Sequence, residues 1–514
     1  TTLFRSCAAI ESDNNTVQGW LYTVTNGEAE AMPPVCPRCD TDFRRGSAIS
    51  PLRQHRTGFQ RSSQVLASAL VREMPESIAN RPSRKLVIFS DSRQDAAKLA
   101  AGMELDHFRD MVRICLMGAH SQFIRMLFSA IYRYCSDDIP LRLIRSINPR
   151  LADDMEKPPF SAFEALFKQF RIAYPSLVNN MRDIADGDEE SFNNEMSDLI
   201  WGYPWRVPLR QIRDIVWDRL LSMGICPGGT RADSLYFDDS NQRKQWWECF
   251  EWTTSIERPK AGPSAAETQH LINMKNSLMR ELVLCLFPHV TRTFESLGLG
   301  FVTFRYPGKA RPVLIEACQS IIRNLCERKR FRYWPDFFPD PNGQNKPLQR
   351  ATLKYLGDVG LEPLEIAETL RYGGVLLKGD TGPGIDSDNL WLEIPSPVSS
   401  ETGVIQGWSC PVCGSFFLHP SGGRCIDCNK ELRPGSSSAS LDYYRYLAEK
   451  VSGGFRFHSE ELTGQTDAAE KSCRQRWFQE VFLPDKREIP AVHGIDLLSV
   501  TTTMEAGVDI GTLL

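Results

Sequence analysis

The chain has 514 residues, of which 42% are apolar and 24% charged, with a formal net charge of −4. That length holds several domains with sizeable cores, and the near-neutral balance excludes a global field for nucleic acid, so any such contact must come from local basic surfaces. No apolar run approaches the ~20 residues a membrane span needs, and no signal-peptide layout follows Thr1.

The 15 cysteines are odd in number, with three Cys-x-x-Cys pairs and the rest scattered singly. That usage fits a reducing cytoplasm and metal binding rather than a disulfide framework. Beginning at Thr1, the chain reads as a piece of a longer protein.

Residues 1–50 carry Cys36-Pro37-Arg38-Cys39, half of a zinc site or a plain turn. Its remaining ligands are open, with Cys7 as the sole upstream cysteine. The basic loop Pro51–Gly58 leads into an amphipathic helix over Ser63–Met74, with Val65, Leu66, Ala69 and Leu70 on one face. Leu86-Val87-Ile88-Phe89 reads as a buried strand. Ser92 then caps a helix, with Asp95 three residues on, and Ala96, Ala97, Leu99, Ala100 and Met103 follow at helical spacing.

From about 105 to 400 helical periodicity dominates, as in Phe123–Tyr134, Phe160–Ala173, Val207–Met223 and Leu271–Phe287. The acidic stretch Asp183–Asp198 reads as a solvated linker. Trp246, Trp247 and Trp252 read as core. Arg328 through Trp334 interleaves cations with aromatics; it suits either a phosphate-tracking surface or a solvated helix end with its rings turned inward.

Two short helices (Leu348–Leu356, Pro363–Leu370) and a hairpin of Val375–Leu377 with Leu390–Ile394 give an order like a winged-helix module. Gly379 through Gly384 is Gly-rich but lacks the Gly-Lys-Ser/Thr ending of a P-loop, and reads as a hairpin loop.

Cys410-Pro-Val-Cys413 and Cys425-Ile-Asp-Cys428, eleven residues apart, can place four thiolates around one Zn²⁺ with no open position. That predicts a structural ion, with His419 a bystander. Beyond a Ser-rich joint come a helix (Leu441–Lys450), a strand (Phe455–Phe457), a turn with Thr463-Gly464, and a basic helix (Ala468–Phe482) bearing Arg474 and Arg476. Leu497–Val500 is a buried strand of a parallel sheet. It ends in Thr501, Thr502 and Thr503 and precedes Gly507-Val508-Asp509.

Thr501 through Ile510 resembles motif V of superfamily 2 nucleic-acid helicases. The closest variant belongs to bacterial helicases with cysteine-rich C-terminal regions (the DISARM-helicase and MrfA-like families). The strand and turn at Lys85–Asp95 resemble motif IV, and the Thr463-Gly464 turn with its basic helix resembles the stretch before motif V, in family order. The resemblance covers roughly residues 1–110 and 400–514, and the middle only by position.

It implies an α/β RecA-like lobe (a P-loop NTPase-type parallel sheet) interrupted by a large, mainly α-helical insertion, plus a small zinc ribbon. The implied plan is a partial zinc-knuckle region (1–50), an inter-lobe linker helix (51–84), the first part of the lobe (85–110), the insertion (111–345), a winged-helix-like module (346–400), the ribbon (401–435) and the truncated remainder of the lobe (441–514).

The family's roles imply that Ser90, Ser92, Arg93, Thr463, Gly464, Thr501 and Thr502 grip strand phosphates, while Gly507 and Asp509 face the nucleotide ribose. Cys410, Cys413, Cys425 and Cys428 would bind zinc, with Cys36 and Cys39 a weaker pair. No Walker loop or acidic Mg²⁺ motif is present, and the chain stops before an arginine-bearing motif VI. ATP and Mg²⁺ would therefore bind only with a first lobe, and this part alone would be inactive within an ATP-dependent helicase. The expected partners are nucleic acid, DNA ahead of RNA, and other subunits of a defence or repair complex, with no membrane. The alternative is a non-catalytic zinc-ribbon and helical module that binds DNA or protein.

Overall fold

The computed structural model describes residues 59–74, 84–90, 92–135, 205–252, 262–288, 293–306, 310–339, 350–379, 382–394, 406–436, 442–450, 454–463 and 466–501, with a few isolated residues and short strands elsewhere. Cys36, Cys39, Gly464, Thr502, Gly507 and Asp509 lie outside the described residues, as do the helix expected at 160–173 and the acidic stretch at 183–198.

One sheet is parallel, with Leu497–Thr501 (β11) in the middle, Ser459–Leu462 (β10) on one side and Leu86–Ser90 (β1) on the other. Parallel neighbours require long crossovers, and helices supply them. Helix α2 (Arg93–Cys135) follows β1, helix α8 (Tyr443–Lys450) precedes β10, and helix α9 (Ala468–Phe478) lies between β10 and β11.

Alternation along β11 fills both faces. Leu497 packs with Ala67, Val71, Leu99, Met103 and Phe457, whereas Leu498 and Val500 pack with Leu462, Phe478 and Ile495. Burial on both sides is the usual condition of a parallel strand. It holds for β11, whose five residues are all buried. β1 differs from the expected buried strand: it is an edge among the described residues, and Phe89 is 50% exposed.

Two other expectations are corrected nearby. Helix α1 (Phe59–Glu73) forms, but it buries Gln64, Ala67, Ser68 and Val71 and leaves Leu66 and Leu70 exposed. Polar chemistry overrides the apolar stripe. The Gln64 amide donates to Asp110 and to Ser68 Oγ, and Ser68 Oγ lies 3.3 Å from His107 Nδ1, so α1 and α2 meet through a buried hydrogen-bonded ladder. The strand expected at Phe455–Phe457 lies instead at Ser459–Leu462, where the register with Leu497–Val500 sets it.

α2 runs unbroken through residue 110 into a second, larger core. There it meets α3 (Leu209–Ser222), α4 (Ala265–Leu286) and α5 (Pro312–Glu327). An antiparallel sheet places Leu390–Ile394 (β6) between Phe301–Phe304 (β3) and Trp205–Pro208 (β2). That pairing corrects the expected hairpin: β6 does not pair with Leu376–Leu377 (β4), which pairs with Gly384–Ile385 (β5) around the Gly-rich loop.

Helices α6 (Arg350–Val359) and α7 (Pro363–Tyr372) precede that hairpin. Trp246 is buried and meets Trp252 edge-on at 5.8 Å, as core residues do. No helix among the described residues is long and apolar enough to cross a membrane.

Candidate functional site

The four ribbon sulfurs define the clearest site. Strand β7 (Gln406–Ser409) pairs with Phe416–Phe417 (β8) and Arg433–Ser436 (β9), and the cysteines sit on two turns beside this sheet. The turns are built alike. The Cys410 N–H donates to Ser415 O at 2.9 Å, and the Cys425 N–H donates to Lys430 O at 2.8 Å. The residue after each second cysteine takes a left-handed φ, +78° at Gly414 and +60° at Asn429. Glycine and asparagine tolerate that region best, which is why they stand there.

The ligand atoms of Cys410, Cys413, Cys425 and Cys428 all lie within 4.8 Å of one another. Two pairs are closer, Cys410–Cys428 at 3.4 Å and Cys413–Cys425 at 3.5 Å. Tetrahedral Zn–S bonds of ~2.3 Å separate the sulfurs by roughly 3.8 Å, so the cluster fits such an ion with little adjustment. Contact between the two thiols pulls Cys413 down and pushes Cys425 up, while burial pushes Cys428 up. The group could hold a metal ion such as zinc, with every donor a protein sulfur and no position left for a substrate.

His419 is not among the clustered ligands. It is buried, its Nδ1 accepts from the Ser421 N–H at 3.2 Å, and its Nε2 lies 3.5 Å from Glu295. Burial lowers its pKa to about 3, so it stays neutral. The ribbon is anchored to α5 through Arg323, a buried guanidinium 2.9 Å from Glu295, 2.9 Å from Glu327 and 3.8 Å from Asp427 inside the second knuckle.

The strand ends form a second group. Ser90, Thr463 and Thr501 stand at the carboxyl ends of β1, β10 and β11, and Thr501 faces Ser90 in register. Thr463 and Thr501 are buried, and Ser90 is half-buried. The Thr463 N–H donates to Thr466 Oγ1 at 3.0 Å. Ser90 Oγ donates to Ser92 O, and Ser92 Oγ accepts the Asp95 N–H at 3.1 Å, which makes it the N-cap of α2; Arg93 is the first residue of that helix. The structure thus gathers Ser90, Ser92, Arg93, Thr463 and Thr501 at one end of one sheet.

The basic residues singled out on α9 are engaged within the chain. Arg474 donates to Glu461 O at 2.5 Å and pairs with Glu460, and Arg476 makes a two-point pair with Glu488. In the 328–334 stretch Phe331 is fully buried, Arg332 pairs with Asp386 at 3.0 Å, and the Tyr333 hydroxyl donates to Asp388 at 2.7 Å.

Sequence reasoning missed a cavity of about 480 Å³ between α2, α9 and the 224–247 region. Glu104, His458, Glu460, Cys473, Trp247 and Trp477 line it. Burial raises the Glu104 carboxyl to about 7, against the opposing pull of His458. Burial alone would lower His458, but its bond to Glu460 and the field of Glu104 raise it. These residues come from segments up to 373 positions apart, and no local pattern marks them.

No protein-family model matches this chain, and no curated protein or solved structure does.

Proposed function

We propose that the chain is the second, RecA-like motor lobe of an ATP-dependent nucleic-acid helicase or translocase, with a zinc ribbon and a helical insertion. The supporting observation is the sheet order, which puts Ser90, Thr463 and Thr501 side by side at the carboxyl ends of three parallel strands. Ligands of open α/β sheets collect at that edge. Hydroxyls and the capped start of α2 suit phosphate oxygens, so contact there is independent of base sequence and weakens with salt.

In this reading Ser90, Ser92 and Arg93 meet the strand first, because Thr463 and Thr501 are buried. Gly464 and Thr502 complete the grip, and Gly507 and Asp509 face a nucleotide held mainly by a separate first lobe. Mg·ATP belongs to that composite cleft. The test is a pair of measurements on the 514-residue chain. It should bind a single-stranded oligonucleotide without ATP, losing affinity in the Arg93→Ala variant, and it should show no Mg·ATP hydrolysis. Hydrolysis by the chain alone counts against the assignment.

The second reading, a non-catalytic zinc-ribbon interaction module, draws on the ribbon's tight anchoring to α5 through Arg323. A Walker loop encoded upstream and a Gln-x-x-Gly-Arg-x-x-Arg segment downstream in the same reading frame would decide for the motor.

A further inference from the structure

A smaller cavity of about 240 Å³ shares Phe108, Gly229 and Thr230 with the large one. Its charge is one-sided. Arg109, Arg231 and Arg280 line it against one carboxylate, Glu281. Glu281 holds Arg109 and Arg280 at 3.6 Å each, beyond hydrogen-bonding distance. Arg280 is 7% exposed, yet its Nη2, like the Glu281 Oε2, finds no hydrogen-bond partner among the described residues. A buried guanidinium left so incompletely met is costly unless something else completes it.

The rest of the wall suits an organic anion better than a bare ion. Trp334 lines the cavity, and Lys329 lays its ammonium 4.5 Å over the Trp334 ring. Gly228 and Gly229 line the cavity without side chains, and a Cβ on Gly229, at φ +94°, would meet the Phe108 ring at 3.2 Å. Trp334 brings one member of the cationic–aromatic 328–334 stretch to this wall. Its neighbours Arg332 and Tyr333 are tied to Asp386 and Asp388, whereas Lys329 lies over the Trp334 ring.

We propose that this cavity binds a phosphate ester, the sugar-phosphate of a nucleotide, with its base against Trp334. Guanidinium forks match phosphate oxygens in pairs, and an aromatic face stacks any base. The volume is below the ~300 Å³ at which drug-sized pockets begin, which suits one sugar-phosphate unit and not a dinucleotide. The ester can come from a single strand or from a free mononucleotide. The site stands on its own residues, whichever of the two functions above holds.

The test uses the 514-residue chain and its Arg109→Ala/Arg231→Ala double variant. Both side chains are at least half exposed, so the fold should survive. Binding of a fluorescein-labelled 12-mer of dT is followed by anisotropy across a salt series, and binding of AMP and inorganic phosphate by calorimetry. The double variant should bind about tenfold more weakly. For the oligonucleotide, the log–log salt slope should fall by about 0.7, the value of one strand phosphate.

Loss of the oligonucleotide with no AMP binding assigns a strand-borne phosphate. Loss of AMP binding assigns a free nucleotide. Unchanged affinity and slope in the double variant overturn the proposal, as does failure of the wild-type chain to bind any of the three. Oligonucleotide binding that survives the double variant but falls with Arg93→Ala would leave the strand-end site standing and remove this one.

Discussion

Replacing Arg323 with methionine tests how the ribbon is held. The guanidinium is 7% exposed and lies 2.9 Å from both Glu295 and Glu327, 3.2 Å from Phe416 O and 4.4 Å over the Phe417 ring. Methionine fills a similar volume but leaves Glu295, itself 5% exposed, with no cation beside its carboxylate. Breaking one side of a buried ion pair costs about 3–5 kcal/mol, most of it the stranded charge. Glu295 already sits above the usual carboxylate range because burial outweighs the pull of Arg323.

Adding Glu295→Gln removes that charge while its amide oxygen still accepts the Leu418 N–H, a 2.8 Å bond in the wild-type chain. The double variant should therefore recover at least half of the loss. Urea melts of wild type, both single variants and the double variant give the coupling directly. A loss under about 1 kcal/mol for Arg323→Met, or strictly additive single effects, would refute the clamp.

Legibility in the sequence followed the range of the interactions involved. The ribbon was readable because its chemistry is local: two Cys-x-x-Cys turns, with Gly414 and Asn429 at the positions that need a left-handed φ. The Ser92–Asp95 cap and the β11 run were readable for the same reason. α1 was misread because its burial is decided by residues about 40 positions away. Gln64 and Ser68 go inside to meet Asp110 and His107, a pairing no periodicity can show.

β6 was misplaced because its partners are Phe301–Phe304 and Trp205–Pro208, not the neighbouring hairpin. Strand pairing across ~90 or ~190 residues leaves no mark in local composition, and alternation alone does not choose a partner. The same holds for the large cavity, whose titrating trio Glu104, His458 and Glu460 meets only once α2 crosses the sheet.

Two further predictions concern the metal and the cavity. Cys413→Ser should remove one equivalent of bound zinc relative to wild type, read by metal analysis after dialysis, because three thiolates cannot close the tetrahedron. Unchanged zinc content would place the ion elsewhere.

The second concerns Glu104, whose carboxyl rises from 4.5 to about 7, by burial first, with Glu460 and Asp496 adding to the rise. A raised folded pKa means that the fold favours the protonated acid. Its contribution is fully present below pH 4.5 and is lost as pH climbs through about 7. The full shift corresponds to roughly 3 kcal/mol, and the cavity keeps the carboxyl partly solvated, so about 1–2 kcal/mol is expected. Glu104→Gln has nearly the same shape and cannot ionise. Its stability should equal that of wild type near pH 4.5 and exceed it by that amount at pH 8, measured by urea melts at both values. His458 pulls the wild-type curve the same way, since its raised pKa also gives stability that fades with rising pH. Because the field of Glu104 helps to hold His458 up, the difference between variant and wild type reads Glu104 together with its coupling to His458. A variant no more stable than wild type at pH 8 would mean that the carboxyl is solvated well enough to ionise without cost.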